Sequence, residues 1–280
     1  METIILFVLF FAGTLGGNCC SKLSSNRLEK GGYAVFFLIN SGIACLFFLI
    51  SGGFSLQAEW ITAGFSLLYA CVVLLVLYSN MKLLQRMPIA YASIISSAAN
   101  LLLTSLLGGW LFEEPLGWQT AVRIGLMLAA SALIFAERKG VVRPTKGFLF
   151  PLTTYVAGCV SNYLVLKLYT CVPHRASDSS FFFFTNLIMM IVAVGWLLLR
   201  RQRMELSLRG MLPFVANTLC SNAVSLISIG LIARTDAVVY NPITSAIGTL
   251  CVMATSVLFK EKIGIRSCLA AGLAILAVII

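Results

Sequence analysis

The feature that most constrains this chain is a series of long apolar runs without charged residues. From Phe181 to Leu199, for example, there is no acidic or basic side chain. A helix needs about 20 mostly apolar residues to cross the hydrocarbon core of a bilayer. In lipid, only helices and closed barrels satisfy their backbone groups, and these runs lack the alternation of barrel strands. The pattern therefore predicts an all-α membrane protein.

Composition agrees with this interpretation, because 60% of the 280 residues are hydrophobic and 11% are charged. Soluble domains carry about 25% charged residues. The first run, from Ile4 to Cys20, is expected to be a retained helix rather than a signal peptide, since no basic residue precedes it. Ten transmembrane helices are predicted, at 3–21, 33–52, 61–81, 88–111, 118–136, 148–170, 180–199, 211–232, 237–258 and 264–280.

The net charge of +10 is concentrated in short loops between the apolar runs. Loops after odd-numbered helices hold most of the Lys and Arg residues. By the positive-inside rule these loops are cytoplasmic, so both termini are predicted to face outward from the plasma (inner) membrane. The excess of Lys and Arg thus indicates the orientation of the chain in the membrane, and no nucleic-acid partner is expected.

An internal repeat relates the two halves of the chain. The segment from Leu111 to Gly117 resembles that from Leu258 to Gly264, and Gly125 has its counterpart in Gly272. The repeat predicts a first five-helix unit at 1–137, a basic linker at 138–147 and a second unit at 148–280. Because five is odd, the two units must insert with opposite orientation, as in secondary transporters with inverted repeats.

These residues resemble the drug/metabolite transporter superfamily, in its ten-helix EamA-like branch. The likeness rests on Gly17, Asn18 and Lys22 in helix 1, on the paired Glu-to-Gly spacings, and on Pro242 in helix 9. The spacings run from Glu114 to Gly125 and from Glu261 to Gly272. Glu114, Glu261, Gly125, Gly272 and Pro242 are assigned structural roles. The first half departs from the pattern, since Ile95 stands where Pro242 stands in the second.

Candidate substrate-binding residues are five asparagines, four tyrosines and one threonine within the predicted spans. A buried Asn amide needs several hydrogen-bond partners, which makes it costly unless it lines a cavity. The candidates are Asn18, Tyr91, Asn100, Tyr155, Asn162, Tyr163, Asn222, Tyr240, Asn241 and Thr244. For Ser, Thr and Asn the alternative is hydrogen bonding within the helix bundle.

Charged groups within the spans are few. Lys22 and Lys167 are candidate cavity-mouth charges, with snorkelling to the interface as the alternative. Arg123 is expected to pair with Glu113 or Glu114. Helices 5 and 10 are nearly devoid of polar groups, and the spacing of Gly125 and Ala129 suits close helix packing.

The favoured function is secondary transport of a small polar or zwitterionic, amino-acid-like metabolite around a midplane cavity. One alternative is an aromatic-lined carrier for a quaternary amine or cationic drug. Another is a non-transporting membrane subunit or lipid-handling partner. No nucleotide loop, nucleophile–base pair or metal cluster is recognisable, so no cofactor, metal or enzymatic activity is expected. The expected partners are the substrate, the lipid bilayer, and protons or a counter-substrate, with the chain a monomer or weak dimer.

Overall fold

A computed structural model of the chain describes residues 2–25, 33–84, 101–113, 117–137, 147, 149–200, 208–259 and 265–280. These residues are almost entirely helical and include no strand. The all-α class predicted from the apolar runs is therefore confirmed.

The described residues form ten helices, each overlapping one of the ten predicted from the sequence. They are α1 (Glu2–Ser25), α2 (Tyr33–Ser51), α3 (Trp60–Leu84), α4 (described over Leu101–Leu111), α5 (Trp118–Glu137), α6 (Leu149–Cys171), α7 (Asp178–Arg200), α8 (Leu208–Arg234), α9 (Ala237–Leu258) and α10 (Ile265–Ile279). The start of the predicted fourth helix and all but the last residue of the predicted linker lie outside the described residues.

Five of these helices are long and apolar enough to cross a membrane. Their qualifying segments are Glu2–Cys20, Trp60–Ser79, Leu149–Cys171, Asp178–Leu199 and Leu212–Arg234. Shorter apolar segments lie in α2, α4 and α10. Such a set of helices is typical of a multi-pass membrane protein, because exposed apolar helix faces are favourable in lipid and unfavourable in water.

The chain divides into two compact units. Unit 1 comprises Met1–Cys71 and Val165–Ala233, and unit 2 comprises Val72–Leu164 and Arg234–Ile280. Each unit therefore combines helices from both halves of the sequence. The 1–137 and 148–280 boundaries describe a proposed duplication and do not coincide with these compact units.

Aromatic side chains form much of the unit 1 core, where α2 packs along α7. Phe48 of α2 stacks on Phe182 of α7 with ring centroids 5.1 Å apart. Where α2 ends and α7 begins, the hydroxyls of Ser51 and Ser179 lie 3.2 Å apart. Offset stacking adds to the large apolar area that buried rings contribute.

Glycines of α1 allow α8 to approach closely within unit 1. A Cβ added at Gly13 would lie 2.7 Å from Cγ2 of Val224, and one added at Gly16 would lie 3.3 Å from Sγ of Cys220. Small residues permit this backbone approach between membrane helices.

Alanines form the corresponding contact surface of unit 2, where α10 packs against α5 and α9. Ala270, Ala274 and Ala277 of α10 are fully buried. Their spacings of four and three residues place them on one helical face. Ala274 and Ala277 share a core cluster with Met127 of α5 and Ala246 of α9.

Gly125 does not make the close helix contact expected from its spacing to Ala129, and its counterpart Gly272 makes none either. A Cβ added at either glycine would meet no atom within 4 Å, and both residues are exposed. The close packing of these two helices comes instead from the alanine face of α10.

Candidate polar sites within the two units

In unit 2, two of the predicted site residues contact each other directly. Tyr163 of α6 and Tyr240 of α9 stack with ring centroids 5.9 Å apart and an interplanar angle of 25°. Both side chains are buried. The pair forms an aromatic surface from two helices that belong to the second half of the sequence.

Asn162 adjoins this tyrosine pair along α6. Its Oδ1 atom is buried and accepts no hydrogen bond from the part of the chain that the structure describes. Leaving a buried acceptor without a donor costs about 1–3 kcal/mol. Asn162 therefore retains the main property that made it a candidate, an amide with unused hydrogen-bonding capacity.

Asn241 and Thr244 use their own helix for hydrogen bonding. The Nδ2 group of Asn241 donates to the carbonyl of Ala237 at 2.9 Å. The hydroxyl of Thr244 donates to the carbonyl of Tyr240 at 2.9 Å. This matches the alternative given for such residues, in which the backbone satisfies the side chain.

Pro242 is buried inside α9. It has no amide hydrogen, so the carbonyl of Val238 lacks the donor that the helix would normally supply.

One further candidate, Tyr155, is hydrogen bonded to the thiol of Cys159 one turn later on α6.

Unit 1 contains a polar layer where α1, α2 and α8 meet. The hydroxyl of Thr218 donates to Oδ1 of Asn40 at 3.0 Å. On the adjacent face of α8, Oδ1 of Asn217 lies 3.6 Å from the position of a Cβ on Gly17. Neither Asn40 nor Thr218 was among the predicted site residues, although Asn40 is an asparagine within an apolar helix, as are the predicted asparagines.

Three side chains of unit 1 have buried polar atoms without hydrogen-bond partners among the described residues. They are Nδ2 of Asn222, Oγ1 of Thr14 and Oγ of Ser41. Asn222 lies one turn beyond Thr218 on α8, and Asn18 is partly buried on α1. Of the predicted candidates in unit 1, Asn222 is thus the one with a demonstrated unused donor.

The ammonium group of Lys167 contacts the C-terminal end of α8. It donates to the carbonyl of Ile232 at 3.4 Å. The last carbonyls of a helix lack internal donors and attract cations, so this contact favours a capping role. The side chain of Lys22 lies outside the described residues, as do Tyr91, Asn100, Glu114 and Glu261.

Tyr169 is part of a hydrogen-bond network that was not among the sequence predictions. It is fully buried in unit 1. Its hydroxyl donates to the carbonyl of Ala176 at 2.8 Å, and the amide of Ala176 donates to Oγ1 of Thr62 at 3.1 Å. The guanidinium of Arg175 lies 5.1 Å from the Tyr169 ring centroid and pairs with Asp178.

Across the described residues, no group of three or more His, Cys, Asp or Glu side chains is arranged to hold a metal ion. The candidate substrate-binding side chains in both units are instead neutral amides and hydroxyls. Such groups orient polar ligands by hydrogen bonding, and the stacked tyrosines add an aromatic surface.

No protein-family model and no curated protein matches the chain. Solved structures do match. One is a crystal structure described only as that of a protein; the match covers 99% of this chain and 95% of that chain, with a TM-score of 0.77 and 13% sequence identity. At this identity the likeness shows a shared fold alone.

Proposed function

We propose that the protein is a secondary active transporter of a small polar or zwitterionic metabolite, built from two inverted five-helix repeats related to the drug/metabolite transporter superfamily. The observation that carries the proposal is a reciprocal pair of helix contacts. Gly13 of α1 meets Val224 of α8, and Gly158 of α6 meets Val76 of α3. In both contacts an added glycine Cβ would lie within 2.7 Å of a valine Cγ2.

The two contacts join corresponding helices of the proposed repeats. Gly13 precedes Lys22 by the same number of residues as Gly158 precedes Lys167. In each contact, the first helix of one half meets the third helix of the other half. A two-fold relation between the repeats produces such reciprocal contacts. When the first helix of one repeat contacts the third helix of the other, the symmetry requires the converse contact as well.

Two further helix pairings support the same relation. Helix α2 packs against α7, and α5 packs against α10. These are the second helices and the fifth helices of the two proposed repeats. Inverted repeats let a carrier exchange inward-facing and outward-facing conformations around a fixed site, which is the basis of alternating access.

The buried polar groups support a polar substrate. Asn162 in unit 2 and Asn222 in unit 1 each have an amide atom without a partner among the described residues. Ligand sites combine apolar walls with a few polar groups that orient the ligand. A membrane span would bury these groups at a cost unless they served helix packing or a ligand.

The stacked pair of Tyr163 and Tyr240 favours the second candidate, a carrier for a quaternary amine or cationic drug. Aromatic faces attract cations that cannot donate hydrogen bonds.

The third candidate is a non-transporting membrane subunit. If the protein is such a subunit, the purified chain moves no solute.

Transport by purified protein in liposomes tests these candidates, using a mixture of radiolabelled amino acids in one assay and labelled choline in another. We expect amino-acid uptake, and a reduction of about 5- to 30-fold for Asn162→Leu, since a buried polar contact to a substrate contributes on the order of 1–2 kcal/mol. Asn186→Leu is the matched control, because the buried Asn186 amide donates to its own helix at Phe182. Uptake of choline alone would favour the second candidate, and no uptake of either solute would contradict the proposed transport of such substrates.

A further inference from the structure

Arg123 lies on the buried face of α5, within unit 2. Thr120, Met127 and Ala130 are buried, and Arg123 is spaced from them by three, four and seven residues. These spacings place all four on one side of the helix. Arg123 therefore points in the same direction as the core-facing residues of α5, and its side chain is partly buried.

Arg123 was expected to pair with Glu113 or Glu114, and the structure shows no ion pair between Arg123 and Glu113. Among the described residues, the structure gives Arg123 no acidic partner, and its Nε atom is buried without a hydrogen bond. Glu113 itself is exposed at a backbone φ of 53°, and Glu114 lies outside the described residues. An uncompensated cation within a helix bundle is costly, and such residues commonly mark a ligand site.

Ser105 of α4 is a second buried polar group, and the register of α4 against α5 is expected to place it at the level of Arg123. Leu101 of α4 and Met127 of α5 belong to one core cluster. The short connection between the two helices makes them antiparallel neighbours, so one turn along α4 from Leu101 corresponds to one turn back along α5 from Met127. Those positions are Ser105 and Arg123. Ser105 is fully buried, and its hydroxyl has no partner among the described residues.

The helical packing does not itself require an arginine at this position. The spacing that relates Gly125 to Gly272 relates Arg123 to Ala270. Ala270 is fully buried on the contact face of α10. The position thus faces inward in both helices, but only α5 carries a cationic side chain there.

Exposed tryptophans locate Arg123 near one end of the apolar span. Trp118, at the start of α5, is 73% exposed, and Trp110, near the end of α4, is 78% exposed. Tryptophans are enriched at the membrane–water interface. Five residues of helix separate Trp118 from Arg123, which is about 7.5 Å. This depth is within reach of a lipid phosphate and of a solute entering from water.

We propose that Arg123 and Ser105 form a binding site for an oxyanion, a phosphate group held by the guanidinium fork and the serine hydroxyl. Arg presents several N–H donors in a planar arrangement that matches phosphate oxygens. The phosphate belongs either to an anionic phospholipid headgroup or to a soluble ion. This site stands independently of the proposed transport function, since binding is measured without solute movement.

The test measures the melting temperature of the full chain in dodecyl maltoside by tryptophan fluorescence. The probes are dioctanoyl phosphatidylglycerol and, separately, inorganic phosphate, each against sodium chloride at equal ionic strength. A ligand that binds the folded state raises the melting temperature as its concentration exceeds Kd. We expect at least one probe to stabilise the wild type, and Arg123→Gln to require about tenfold more probe for the same shift.

Arg266→Gln, which removes an exposed arginine at the start of α10, is the control and should respond like the wild type. Stabilisation by phosphatidylglycerol alone identifies a lipid headgroup, and stabilisation by phosphate alone identifies a soluble anion. Equal responses of Arg123→Gln and Arg266→Gln, or no response of the wild type to either probe, would overturn the proposal. If Arg123→Gln does not fold, Ser105→Ala decides, because it must also weaken the response.

Discussion

Gly158 of α6 lies directly against Val76 of α3, so that a Cβ on the glycine would be 2.6 Å from Cγ2 of the valine and 3.7 Å from its Cα. Valine is branched at Cβ and has little rotamer freedom in a helix. The contact therefore depends on the absence of a side chain at position 158.

Gly158→Ala is expected to destabilise the protein by roughly 1–3 kcal/mol, because overpacking forces the two helices apart. The measurement is thermal unfolding in detergent. Val76→Ala should recover part of the loss when combined with it, as expected for residues in direct contact. Gly125→Ala is the matched control, since an added Cβ there meets no atom within 4 Å, and it should be neutral or slightly stabilising. Equal losses in the two glycine variants would contradict the contact.

Gly13→Ala should reproduce the effect of Gly158→Ala, because an added Cβ would lie 2.7 Å from Cγ2 of Val224. A loss of roughly 1–3 kcal/mol is expected again, with partial recovery in combination with Val224→Ala. Equal losses in the two double-mutant cycles would support equivalent positions in the two halves. Strongly unequal coupling would count against the proposed two-fold relation.

Thr62→Val should lower stability by about 1–3 kcal/mol, since it removes an acceptor and leaves the buried amide of Ala176 without a partner. Valine is similar in size to threonine, so packing changes little. Thr153→Val is the control, because that hydroxyl is exposed and bonds to its own helix at Phe150. Thermal unfolding of both variants distinguishes the network from a general effect of replacing threonine.

The orientation inferred from loop charge is tested by accessibility of single cysteines in a cysteine-free variant. Phe54→Cys, in the exposed turn after α2, should react with a membrane-impermeant maleimide in intact cells. Arg203→Cys, in the basic loop between α7 and α8, should react only after the membrane is permeabilised. The reverse pattern would overturn the prediction that both termini face outward.

Part of the candidate site was predictable from sequence. Asn162, Tyr163 and Tyr240 were selected because polar and aromatic groups in an apolar run need partners, and the structure buries both tyrosines and the Oδ1 atom of Asn162 in unit 2. Asn241 was selected by the same argument. Its spacing from Ala237 then allowed a bond to its own helix, and sequence alone does not distinguish that bond from a ligand contact.

The sequence by itself determined the helical class, because apolar runs of this length leave the backbone no other way to satisfy its hydrogen bonds in lipid. It did not determine which small residues make helix contacts. Gly13 and Gly158 pack closely, whereas Gly125 and Gly272 do not, since the direction in which each helix faces depends on neighbours distant in the chain. The tertiary structure likewise left Arg123 without an acidic partner among the described residues and buried Ser105 fully, because the faces that α4 and α5 turn inward are set by their contacts with other helices.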